Sequence, residues 1–105
     1  MAVAVKQLSL HWGEPTLAEQ FRAFHEANPE VYEELRDLAL GLRRRGRTRY
    51  GIASLFEVLR WQRALKTQGD VFKLNNNYRA FYARLLMERE PDLAGFFETR
   101  EQTSV

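Results

Sequence analysis

NYRAFYARLLMER, residues 77–89, carries the cleanest periodicity in the chain and decides its fold class. Tyr78, Phe81, Tyr82, Leu85 and Leu86 stand at i, i+3, i+4, i+7 and i+8, which is one apolar face of an α-helix. The other face presents Ala80, Ala83, Arg84 and Met87. The run Asn75-Asn76-Asn77 offers N-caps for this helix, and Glu90-Pro91 ends it. A short further turn of helix over Asp92 to Phe97 then brings Leu93, Phe96 and Phe97 to close the core.

The residues before this helix read the same way. A third helix runs from about Gly51 to Lys66, with Ile52, Leu55, Phe56 and Leu59 together and Val58, Trp61 and Leu65 filling the other side. Only the sector of Ala53, Glu57, Arg60 and Ala64 is small or polar, so this helix is expected to be central and largely buried. A second helix opens at Asn28-Pro29, with Asn28 as N-cap and Pro29 in the first helical position. Val31, Leu35, Leu38 and Leu42 line its face, and Gly46 stops it. A first helix starts at Thr16, whose spacing to Glu19 is that of a capping box, and its stripe is Leu17, Phe21 and Phe24.

The fold class expected is therefore mainly α, a compact domain of four to five helices over residues 14–97. Residues 1–13 read as an extended or loose arm, 98–105 as a frayed tail, and 66–74 as a short wing-like extended segment. At 105 residues the chain is one domain. The absence of cysteine excludes disulfides and thiolate metal sites and fits a reducing, cytoplasmic setting. The opening MAVAVKQLSLHW is too short and too polar for a membrane span, so no membrane partner is expected.

Charge is segregated. Residues 43–73 hold nine of the sixteen basic residues and carry a net charge of +7, residues 1–42 carry −4 and residues 74–105 carry −1. Along the second helix, Glu30, Glu33, Glu34 and Asp37 precede Arg43, Arg44 and Arg45, as the macrodipole favours. Cations at a helix end are worth about 0.3–1 kcal/mol each, which accounts for one or two arginines but not for five in seven residues. Arg43, Arg44, Arg45, Arg47 and Arg49, the last two on a connector expected to be mobile, thus form a candidate phosphate-contacting cluster that Arg60 and Lys73 would extend.

Phosphate contacts position a protein without specifying sequence. Base contacts would fall to Asn76, Asn77 and Arg79 at the start of the fourth helix, with Ala80, Ala83 and Arg84 behind them. The connectors are longer than a strict helix-turn-helix allows. The plain reading of the same asparagines is capping and turn chemistry.

Signatures of catalysis are sparse. His11 and His25 lack metal-ligand spacing, and no glycine-rich phosphate loop, nucleophile elbow or dinucleotide fingerprint occurs. The chain reads as a binding protein rather than an enzyme, with no cofactor and no metal. Glu57 and Asp70 meeting in space around Mg²⁺ would make a small nuclease, the least favoured alternative.

Four strings carry a resemblance: FHEANPEVY at 24–32, LFEVLRW at 55–61, GDVFKLNNNYRAFYAR at 69–84 and EPDLAGFFETR at 90–100. From residue 24 onward the chain resembles a family of small phage and prophage proteins. The resemblance implies an origin in a mobile element, and hence the cytoplasm of a host cell, and it carries over no catalytic residue. Such proteins commonly bind DNA or redirect a host enzyme. The expected function is binding of nucleic acid, duplex DNA first, with a homodimer left open. The alternative is a host protein, a polymerase or nuclease, held through the acidic face of the second helix or through the basic end.

Overall fold

The computed structural model describes residues 14–66 and 73–98. The expected arm at 1–13, residues 67–72 of the expected wing, and 99–105 of the expected tail lie outside the described residues. The described residues form four helices: α1 (Leu17–Ala27), α2 (Pro29–Arg44), α3 (Ile52–Lys66) and α4 (Arg79–Arg89). Two 3-10 turns, Asn76–Tyr78 and Pro91–Leu93, flank α4, and no strand occurs among the described residues. The chain is mainly α, as the periodicities require. No helix among the described residues is long and apolar enough to cross a membrane.

α1 begins as its sequence dictates. The Thr16 hydroxyl accepts the Glu19 N–H at 3.1 Å while the Glu19 carboxylate accepts the Thr16 N–H at 2.9 Å, so two orphan donors of the first turn are satisfied. The junction with α2 departs from expectation. Pro29 does open the helix, but Asn28 makes no side-chain cap. Its Nδ2 instead donates to the Phe24 carbonyl at 3.1 Å, so the side chain closes the end of α1 rather than the start of α2.

The central helix is α2 and not α3. It packs against α1, α3, α4 and the Pro91–Leu93 turn, and Val31, Leu35 and Ala39 are fully buried with Tyr32 beside them. The buried line therefore runs through Ala39, where a small side chain lets the neighbouring helices approach, while Leu38 and Leu42 are only half-buried. Against this line α3 buries Leu55, Phe56 and Leu59, and α4 buries Tyr82, Ala83 and Leu86. Leu93, Phe96 and Phe97 close the core, held by a 3-10 turn rather than by the expected helical turn to Phe97.

Two expected faces are overturned. Trp61 and Leu65, expected on a buried side of α3, are 65 % and 67 % exposed, and Val58, one turn before Trp61, is half-buried. One flank of α3 meets α2 and α4, and no described element packs over the opposite flank. Ala83, assigned to the outer face of α4, is fully buried, because α4 turns its Tyr78-Tyr82-Ala83-Leu86 line to the core and leaves Phe81 and Leu85 half-buried beside α1. Aromatic packing binds α1 to that side: Phe21 stacks on Phe81 at 5.0 Å and meets Tyr82 edge-on at 4.8 Å.

Candidate nucleic-acid interface

The arginine cluster begins with the way α2 ends. Gly46 adopts φ +96°, and the Gly46 and Arg47 N–H groups donate to the Arg43 and Leu42 carbonyls, both at 3.1 Å. This is the paired closure of a Schellman motif, in which a residue of positive φ lets the chain turn back over the last carbonyls. The turn therefore has a fixed geometry. Arg43, Arg44, Arg45, Arg47 and Arg49 are all exposed around it.

The connector, expected to be mobile, is tied down at its far end as well. The Tyr50 N–H donates to the Phe96 carbonyl at 3.1 Å, and the Arg47 guanidinium lies 6.0 Å from the centre of the Tyr50 ring. Arg45 Nη1 donates to the Gly41 carbonyl at 3.2 Å, so one of its donors already serves the helix end. Among the described residues no carboxylate lies within 4.0 Å of Arg43, Arg44, Arg45 or Arg47, and Arg49 reaches Glu98 only at 3.9 Å with both side chains largely in water. A pair so exposed contributes little. The cluster thus presents five cations with one weak local counter-charge.

Arg60 is engaged within the fold. Its Nη2 donates to the Leu74 carbonyl at 2.6 Å and to Asn76 Oδ1, its Nη1 donates to Glu57, and its guanidinium lies 5.9 Å from the Phe56 ring centre. It is the hub that fastens residues 74–76 to α3. Asn76 is consumed in the same network, and its carbonyl also accepts Arg79 Nε at 3.1 Å. The cap of the Asn76–Tyr78 turn is Asn75, whose Oδ1 accepts the Asn77 N–H at 2.8 Å. Of the three candidates for base contact, two are engaged locally, and the side chain of Asn77 is exposed. With Ala83 in the core, a base-reading face on α4 loses its middle.

The ten candidate residues therefore fall into two groups. Arg43 to Arg49 surround the α2–α3 turn; Arg60, Lys73, Asn76, Asn77 and Arg79 gather around Arg60, about 12 Å further along α3 at 1.5 Å per residue. The acidic face of α2 is partly neutralised. Glu34 receives Arg63 through both oxygens at 3.3 and 3.2 Å, and Asp37 accepts Arg36 at 3.2 Å. Glu57, one half of the imagined metal pair, is held by Arg60, and Asp70 lies outside the described residues.

A feature that escaped sequence reading is a cleft of about 590 Å³ between α1 and α4, with Arg22, Arg84 and Arg89 around its rim and Phe21, His25 and Phe81 lining it. Glu26 and Glu88 share that lining, so its net charge is small. His25 stacks on Phe21 at 5.8 Å, and burial together with Arg89 lowers its pKa. Only the i, i+3 and i+4 relation of Arg22, His25 and Glu26 hinted at a shared face. No family model, no curated protein and no solved structure matches this chain.

Proposed function

We propose that this chain is a small phage-type protein that binds nucleic acid, duplex DNA foremost, through the arginines of the α2–α3 turn. The observation that carries the reading is the set of five exposed guanidiniums, Arg43, Arg44, Arg45, Arg47 and Arg49, on a turn fixed at both ends and nearly free of carboxylates. A turn fixed at both ends loses little backbone freedom on meeting a polyanion, and each guanidinium can hold a phosphate in a bidentate grip. Arg60 supports the fold in this reading instead of touching DNA. The chemistry is phosphate clamping, with no bond made or broken.

A mobility-shift titration of the full chain on duplex DNA of mixed sequence tests it. Binding through about five phosphate contacts weakens by two to three orders of magnitude between roughly 50 and 200 mM salt. Absence of binding at low salt to duplex, single-stranded DNA and RNA alike would remove nucleic acid as the partner. Recovery of one host protein in a pull-down would then favour the alternative.

A further inference from the structure

Trp61 and Leu65 are the two most exposed large apolar side chains among the described residues. At 100° per residue, Ser54, Val58, Trp61 and Leu65 fall within about 60° of one another, on the flank of α3 facing away from Leu55, Phe56 and Leu59. We propose that a second copy of this chain packs its own α3 antiparallel along this stripe.

The spacing of the stripe argues for that occupant. Its positions are separated by four, three and four residues, so the pattern is identical when read in either direction. An antiparallel two-fold axis midway between Val58 and Trp61 sets Val58 opposite the partner's Trp61 and Ser54 opposite the partner's Leu65. Each layer then joins a large side chain to a small one, the combination that fills a helix seam. Ser54, Glu57, Val58 and Trp61 stand at the i, i+3, i+4 and i+7 positions of a knob's hole. Three of these, Glu57, Val58 and Trp61, line a shallow open hollow together with Arg60, and the partner's Trp61 is the knob that meets it. The exposed Glu57 carboxylate at its rim is an acceptor for the indole N–H.

Charge selects the direction. A parallel pair would lay two clusters of five arginines side by side, whereas the antiparallel pair sends them to opposite ends of the seam. The area sets the strength. Trp61 and Leu65 are each about two-thirds exposed, and a seam built on two such side chains falls short of the roughly 800 Å² per partner of a stable complex. The pair is accordingly weak and concentration-dependent.

Sedimentation of the full chain without DNA, from about 5 to 500 µM, tests the pairing separately from any nucleic-acid function. The wild type shifts from monomer towards dimer mass, while Trp61→Ala and Leu65→Ser each weaken the association at least tenfold. Both side chains are exposed, so the helical signal of the variants is expected to be unchanged; if one variant fails to fold, the other carries the comparison. A wild type that stays monomeric at 500 µM, or variants that associate as well as it does, overturns the proposal. Nitroxide labels on Ala53→Cys stand about 20 Å apart in the antiparallel pair and about 10 Å apart in a parallel one, so the shorter distance overturns it as well.

Discussion

Tyr82 is the largest fully buried side chain in the core, and its hydroxyl meets no hydrogen-bond partner among the described residues. Burial raises its pKa far above the ordinary tyrosine value, so the group is neutral at any physiological pH and contributes only its ring, set edge-on to Phe21, His25 and Phe56. Removing an unsatisfied hydroxyl from such a site relieves a desolvation cost of about 1 kcal/mol or more. Tyr82→Phe is expected to raise stability in urea unfolding; a loss of more than about 1 kcal/mol would mean that the hydroxyl does have a partner. His25 acts through charge. Its folded pKa lies below the unfolded value, so its contribution is fully present above about pH 6.5 and is lost as pH falls through the folded pKa. His25→Phe, which keeps the stack on Phe21, should flatten the decline of Tm between pH 7 and pH 5; an unchanged decline assigns it to other groups.

At the scale of elements, the segment Leu74–Tyr78 is pinned to α3 by one guanidinium. Arg60 donates to Leu74, Asn76 and Glu57, so Arg60→Ala removes charge-assisted bonds from a half-buried site and should cost about 2 kcal/mol of stability. Its DNA affinity at low salt should change less than twofold, since the side chain is turned inward. A loss of affinity with stability intact would return Arg60 to the interface. The helices themselves were legible in the sequence: the Thr16–Glu19 capping box, Pro29 at the start of α2, Gly46 at its end and Pro91 after α4 all act where local chemistry puts them. What was not legible is which side of an apolar helix meets a neighbour. α3 has apolar residues on both flanks, and only the packing of α2 and α4 on Leu55, Phe56 and Leu59 decides that Trp61 and Leu65 face out. Ala83 and Ala39 illustrate the same point, since alanine is neutral in a periodicity and acquires its meaning from how closely the next helix approaches. Of the candidate site, the exposed arginine turn could be read from charge alone. The commitment of Arg60 and Asn76 could not, because the bonds that join them to each other and to Leu74 span 14 to 16 residues of sequence.

On the whole molecule the charge asymmetry becomes a geometric one. The acidic first half of α2 is partly balanced by Arg63 and Arg36, while its C-terminal end and the connector after it place five arginines around a closed, tethered turn, with Glu98 the one carboxylate within 4.0 Å of them among the described residues. An antiparallel α3 pair would set two such turns at opposite ends of one seam, giving an elongated cationic assembly. If Arg43 to Arg49 neutralise phosphates as proposed, the salt dependence of binding reports it directly. The measurement is the slope of log K against log salt on duplex DNA for the wild type and for the triple variant Arg44→Ala, Arg47→Ala, Arg49→Ala. Each lost contact lowers the slope by about 0.9, so the variant should bind more weakly on every sequence, with a slope smaller by about two to three. Equal slopes and equal affinities for the two proteins would rule out phosphate contact by these arginines.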